Sequence, residues 1–357
     1  MSRLRRGKQS RWAFSSAAIL ALTLAVCAAG VAGAAGTSSP AALAWNPDGT
    51  PNLHGLTIHM GVAAGDFHIA DTVTYITVQK LKQWGANADL QLGNGNNTEL
   101  AVVSGQLNAT AGPMPTCLNA GLDIFGNNQV HVDYVMVSKN LSSLAQLKGR
   151  LIGIATTDST DNFLLDNALN KVHLTRSDVR IDLTGSSSAS VNQMLLGRVD
   201  ATFIHADALT KVNKAGHFNV LGATADIAPW YADSYFCATA GWLKGNPGTA
   251  EALDLAWLSA AKVFDTDPAA WVKYALDYTK HSQTNAEAMD AYNALKQSKA
   301  WPDDGSGMEF PVLEKNFEFA KQKGQIKGQG DRSIGQWAIT VPWNEAVKQF
   351  KSHESAY

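Results

Sequence analysis

The chain's clearest chemical feature is a set of short polar loops, each placed between an apolar run and a helical pattern. Thr156-Thr157-Asp158-Ser159-Thr160 is the richest in hydroxyls. At a helix start, such hydroxyls and the unpaired backbone N–H groups can hold the oxygens of an anion. A capped helix start with no ligand has the same appearance. Asn96-Asn97-Thr98 repeats the arrangement earlier in the chain. Gly65-Asp66-Phe67-His68 forms a third loop, where glycine permits close backbone approach and Phe67 or His68 could touch a ligand. Gly112 and Pro113 end another apolar run, and Ser188 closes the Gly/Ser-rich 185–188 stretch. His205 directly follows an apolar run and could face the same site, although a lone histidine also serves as a structural hydrogen-bonding group. Tyr235 lies among Trp230, Tyr231 and Phe236, an aromatic group suited to a ligand wall or to plain core. Asp66, Asp158 and Asp207 would disfavour a bare anion if they faced the ligand, and would suit one bearing an amine.

Nucleophilic catalysis would need Cys117 or Cys237 beside His68, His131 or His205. Cys117 follows Pro113-Met114-Pro115-Thr116 at an expected helix start, where a thiolate would be stabilised. No H-E-x-x-H or C-x-x-C spacing occurs, so no metal is expected. No Gly-rich phosphate loop or G-x-S-x-G elbow follows a strand, so no cofactor is expected.

These loops depend on the elements around them. Residues 151–155 (LIGIA) form a short apolar run of the buried parallel-strand type. Phe163, Leu164, Leu165, Ala168 and Leu169 then recur at helical spacing. Further strands are expected over 180–183 and 200–204, with a helix over 188–196 between them. Two successive βαβ units predict a parallel sheet whose ligands sit at the carboxyl ends of the strands. Earlier, 57–63 and 88–92 read as strands, and 70–84 and 99–104 as helices. Residues 106–113 echo the later Gly197–Ala201 phrase, with Asn108 in the place of Asp200. Residues 132–138 and 233–240 read as strands that cross between two units. Beyond Gly241, helices are expected over 248–264, 268–278, 285–296 and 308–323, with Pro268 at the first helical position.

The order Ser143-Leu144, Leu147-Lys148-Gly149, Ile152-Gly153-Ile154, a Ser/Thr turn, and then Leu195-Leu196-Gly197-Arg198-Val199-Asp200-Ala201 resembles the second lobe of periplasmic solute-binding proteins. The likeness is to the nitrate/sulfonate/taurine (SsuA/TauA-like) ABC-importer family and runs over roughly residues 55–300. It implies an α/β, two-lobed type II periplasmic-binding-protein fold. Each lobe would be a mixed, mainly parallel sheet flanked by helices, with extra C-terminal helices packed on the first lobe. Residues 55–138 with 234–357 would form lobe 1, and 139–233 lobe 2. The implied role is delivery of a small molecule (a sulfonate, a nitrate-like anion or a related organic acid) to an ABC importer permease by lobe closure. The same fold also contains cysteine-dependent desulfinases and pyrimidine synthases, and a ligand-sensing module would carry the same signature.

The first twelve residues hold five bases and no acid, an apolar stretch follows over 13–29, and Ala32-Gly33-Ala34 offers a cleavage site. This is a secretory signal peptide, so residues 1–34 are expected to be removed and the protein exported, periplasmic or at the cell surface. Arg5-Arg6 and Cys27 also admit twin-arginine export and a lipid anchor, which would be the only membrane attachment besides the permease. Without the leader, 24 Lys and Arg face 31 Asp and Glu, a net charge of −7. A negative surface without basic runs argues against nucleic-acid binding. In an exported chain, Cys117 and Cys237 could pair as a disulfide or remain two buried thiols. The Ser/Pro/Ala/Gly-rich start of 35–54 reads as a tether.

Overall fold

The computed structural model describes residues 43–62, 68–93, 97–157, 159–232 and 234–357. The expected leader over 1–34 therefore lies outside the described residues, as do Gly65, Asp66, Phe67, Asn96 and Asp158.

Among the described residues, twelve strands form one small hairpin and two five-stranded sheets. The hairpin joins β1 (Ala44–Trp45) to β2 (Pro51–Asn52). The first sheet contains β3 (Thr57–Val62), β4 (Asn87–Leu92), β5 (Ala109–Gly112), β6 (Asp123–Gln129) and, from later in the chain, Ser234–Ala238. The second contains β7 (Tyr134–Ser138), β8 (Leu151–Ile154), β9 (Arg180–Leu183), β10 (Ala201–His205) and β11 (Asn219–Ala223). The returning strand Ser234–Ala238 is β12.

The two sheets share one topology. Their orders are β4-β3-β5-β12-β6 and β9-β8-β10-β7-β11. In the first, β3 runs parallel to β4 and β5, and β12 runs antiparallel to β5 and β6. In the second, β8 runs parallel to β9 and β10, and β7 runs antiparallel to β10 and β11. Each sheet is thus mainly parallel, and its single antiparallel strand is the one entering from the other sheet. The first crossing lies over 130–133, because Tyr134 already pairs with His205 of the second sheet. That is ahead of the boundary expected at Ser138.

Fourteen α-helices are described: α1 (Thr72–Gln83), α2 (Asn97–Val103), α3 (Met114–Asn119), α4 (Thr160–Lys171), α5 (Ser187–Leu195), α6 (Leu209–Lys214), α7 (Thr224–Ile227), α8 (Ala240–Gly245), α9 (Pro247–Thr266), α10 (Pro268–Tyr278), α11 (Asn285–Ser298), α12 (Phe310–Gln322), α13 (Ile334–Trp337) and α14 (Val341–Ser352). The longest, α9, is buried on most of its surface and packs against α1, α10, α14 and β6. Its Trp257 ring lies 5.5 Å from that of Trp343 in α14. Burying such a side chain stabilises by roughly 1.5–3 kcal/mol. Pro268 opens α10 as expected, and Asp267 caps the helix by accepting the Ala270 N–H at 2.9 Å. The C-terminal segment returns to the first sheet, where Ile339 donates to the Ile124 carbonyl at 2.8 Å.

Two expectations differ. Residues 43–54 of the expected tether form a hairpin, in which the Asp48 carboxylate accepts both the N–H and the hydroxyl of Thr50 and closes a turn through Gly49. Strand β6, not marked in the sequence, carries Gly126-Asn127-Asn128, residues that normally signal a turn. The structure buries both asparagines with partners: Asn127 donates to the Gly307 carbonyl, and Asn128 accepts from Thr74 and donates to Ser234.

Candidate functional site

In both sheets the parallel strands end on a common site. The loop after β3 begins its described part at His68, and the loop after β10 carries Asp207. His68 Nε2 lies 3.1 Å from Asp207 Oδ2, joining the first sheet to the second. The His68 and His205 ring centroids are 6.2 Å apart. His205 Nδ1 lies 3.0 Å from Asp133 Oδ1, and its ring centroid is 4.2 Å from that of Tyr134. Asp133 also accepts the Ala206 N–H on its backbone carbonyl at 2.8 Å, so the crossing segment is fastened to the end of β10. Sequence reasoning found His68, His205 and Asp207 but missed Asp133 and Tyr134, which only the first crossing brings to the strand ends.

The hydrogen bond to Asp207 is the main cause that raises His68 to about 9, against burial and with help from the charges of Asp207, Asp71 and Asp133. Burial pushes Asp207 up, but the hydrogen bond and charge of His68, with His205, outweigh it and hold the carboxyl below its usual range. The pair is therefore charged at neutral pH. Separating the loops would return His68 to its ordinary 6.5, so closing them binds a proton between about 6.5 and about 9. The contact is at full strength below about 6.5 and is lost as pH rises through about 9. On the acid side it is lost as pH falls through the lowered Asp207 value. We expect an inter-sheet distance, read by fluorescence transfer in ligand-free protein, to lengthen between pH 7 and 10. His68→Gln should flatten that change, and an unchanged profile would show that the pair does not report closure.

The Thr156–Thr160 region differs from the expectation of free donors. Asp161, buried in the first turn of α4, accepts the Ala155 N–H at 2.7 Å and the Asn162 N–H at 3.0 Å. Ser159 Oγ accepts the Thr156 N–H at 3.2 Å and donates to the Thr156 carbonyl at 2.6 Å. The Ser159 N–H reaches the same carbonyl at 3.4 Å. The chain's own oxygens thus occupy these backbone donors. Thr156 and Thr157 are exposed, and Ser159 and Thr160 half-buried.

The first sheet repeats this theme. Glycines near the ends of β3, β4 and β5 make room for the first turn of α2. Ideal Cβ atoms on Gly61 and Gly93 would fall 2.9 and 2.6 Å from Thr98 carbons, and one on Gly112 would fall 2.4 Å from Glu99 Oε1. Glu99 is fully buried there, accepting the hydroxyls of Thr98 at 3.1 Å and Thr116 at 2.8 Å. Thr98 is therefore spent on a carboxylate, while Asn97 is exposed beside it. Glu99 and Asp161 escaped the sequence reading because each sits inside a helix pattern.

Among the remaining candidates, Pro113 and Ser188 are exposed. Tyr235 is fully buried in β12, paired with Gly112 and Asn127, and so belongs to the core. Trp230 and Tyr231 are half-buried and meet Phe163 of α4 and Phe319 of α12, with the Phe163 and Phe319 centroids 4.1 Å apart. Cys117 and Cys237 form a disulfide between α3 and β12, Cα to Cα 6.2 Å. A cavity of about 550 Å³ lined by Trp45, Leu243, Ile339 and Pro342 includes Asp123, the first residue of β6, and so lies at the opposite edge of the sheet from the strand-end site. Among the described residues, no group of three or more His, Cys, Asp or Glu side chains is arranged to hold a metal ion.

No family profile matches the chain, and no curated protein matches it in sequence. Solved structures do match in fold. The periplasmic aliphatic sulphonate binding protein SsuA from Escherichia coli is 13% identical over 79% of this chain and 91% of its own, with a TM-score of 0.57. The periplasmic nitrate-binding protein NrtA from Synechocystis PCC 6803 is 12% identical over 85% and 92%, with a TM-score of 0.56. A cysteine-to-serine variant of DszB in complex with biphenyl-2-sulfinic acid is 12% identical over 82% and 99%, with a TM-score of 0.52. At these identities the likeness establishes the fold: two mixed α/β sheets flanked by helices, shared with ABC-import solute-binding proteins.

Proposed function

We propose that the chain is an exported solute-binding protein of the nitrate/sulfonate/taurine importer kind, delivering a small organic solute to an ABC permease. The observation that carries this reading is the paired topology. Two sheets of one strand order exchange their antiparallel strands, so two short crossings connect two rigid bodies whose strand-end loops meet at His68 and Asp207. Rotation about those crossings would open and shut the site, and a solute held by both sets of loops would favour the shut state. Residues 55–133 with 234–357 would move against 134–233. The cysteine-dependent enzyme alternative loses support, since both described cysteines are tied in the disulfide.

Replacing Thr157 and Ser159 together by leucine should abolish solute binding while leaving the melting temperature of the unliganded protein within a few degrees. Isothermal titration against any solute that the unaltered protein takes up tests this, and an unchanged affinity would remove the loop from the site.

A further inference from the structure

We infer that α11 is the pivot on which the second body turns against the first, so that its packing sets how firmly the strand-end site shuts. The inference rests on the solute-binding reading above and concerns the control of that site.

A body joined to another at two points turns most freely about the line between them, and the C-terminal end of α11 reaches both joints. The Ala300 carbonyl, just after the helix, accepts the Val130 N–H at 3.0 Å and the His131 N–H at 3.3 Å. Asp133, at the far end of that crossing, accepts the Ala206 N–H of the second body on its own carbonyl at 2.8 Å. The change from one body to the other therefore falls between His131 and Asp133, directly beside Ala300. Near the return crossing, Lys299 pairs with Asp226 at 2.7 Å. Asp226 lies in α7, the last helix before that crossing.

The helix itself is anchored in the first body. The Tyr292 hydroxyl donates to the Phe264 carbonyl at 2.9 Å, and the Tyr292 ring lies 5.3 Å from that of Phe264 and 5.4 Å from that of Trp271. The same helix packs on the 206–208 turn, α6 and β7 of the second body. Ala291 and Ala294 are buried, and they line cavities shared with Thr210 and Lys214 of α6. The apolar interior is continuous across this seam, since Ala206, Leu209 and Val212 belong to one buried cluster with Ala291 and Ala294. Met136, Leu164 and Phe203, on the other side of the second sheet, form a separate cluster. Drawing the bodies straight apart would expose the continuous cluster to water, which is costly. Turning about α11 keeps the part nearest the axis covered, so the packing favours rotation on this helix over separation.

A wedge between α11 and α6 tests the pivot. Reporters for fluorescence transfer at the exposed Ser104 and Arg198, one on each body, follow the angle between them. Ala294→Leu should lower transfer in the ligand-free protein and weaken binding of any solute that the parent binds by roughly tenfold or more. Gln297 is exposed on the same seam and lines a cavity with Asn213, so Gln297→Trp adds a wedge at the rim without overfilling a core. It should lower transfer in the same direction. Saturating solute should return both variants to the liganded transfer of the parent, because a solute held by both bodies still favours the shut state. Trp343→Phe, which loosens the first core at α14, should lower the melting temperature without changing transfer. Transfer unchanged in both wedge variants, or lowered as much by Trp343→Phe, would overturn the pivot and leave the solute-binding reading standing. Transfer lowered by the wedges while no amino acid, carboxylate, sulfonate or pyrimidine binds the parent would support the pivot and sink the solute-binding reading.

Discussion

Replacing Cys117 and Cys237 together by alanine should lower the unfolding free energy by about 2–5 kcal/mol. The bond joins residues 120 apart in sequence, and the enclosed loop contains the whole second sheet, β7 to β11. In the chain-entropy account, closing a loop of about 100 residues contributes about 4.7 kcal/mol at 25 °C, because the unfolded chain loses that freedom in advance. The bond also ties β12, which returns from the second sheet, to α3 at the end of β5, so it fixes the return crossing relative to the first core. Both cysteines are fully buried, and reduction should therefore require unfolding or strong local opening. Denaturant titration of the alanine pair, and of the parent unfolded in the presence of reductant, should give the same midpoint, lowered from that of the oxidised parent. An unaltered midpoint in the alanine pair would show that the bond contributes nothing to stability.

Gly126→Ala should be the most damaging single methyl addition in the first sheet. An ideal Cβ on Gly126 of β6 would lie 1.8 Å from Asp254 Oδ1 and 2.8 Å from its Cγ, distances at which the helix or strand must move. Asp254 is fully buried in α9, and neither carboxylate oxygen has a hydrogen-bond partner. Burial, with the charge of Glu251 adding, pushes its carboxyl well above the usual range. Overpacking of this kind costs about 1–3 kcal/mol or more. Asp254→Ala should therefore restore much of the stability lost in Gly126→Ala, a non-additive rescue that a double-mutant cycle measures. Additive losses would show that the clash is relieved elsewhere. The same acid carries a pH effect. Its raised folded value means that the neutral form stabilises the protein at low pH, and this contribution is lost as pH rises through that value. Asp254→Asn should accordingly raise the melting temperature at pH 7 more than at pH 4.

Strands such as 151–155 were legible because their apolar runs are uninterrupted, and the loops after β3, β4 and β8 were legible as turn-forming stretches between such runs. Strand β6 was hidden because Gly126, Asn127 and Asn128 are turn residues by local preference, and only partners such as Thr74, Ser234 and Gly307 make them tolerable inside a sheet. The chemistry of the site was less legible than its place. Hydroxyls in 156–160 suggested open anion donors, yet Asp161, directly after them, takes the flanking Ala155 and Asn162 N–H groups, and Ser159 takes that of Thr156. Glu99 and Asp133 acquire meaning only from Gly112 and His205, partners that the fold brings from elsewhere in the chain.

The central claim is that a solute shuts two rigid bodies together. Fluorescence transfer between reporters at the exposed Ser104, beyond α2, and Arg198, beyond α5, tests it most directly. With a solute that binds in calorimetric titration, transfer should rise saturably, with a midpoint equal to the calorimetric dissociation constant. Tight binding with no change in transfer would contradict closure and leave a rigid binding module in its place.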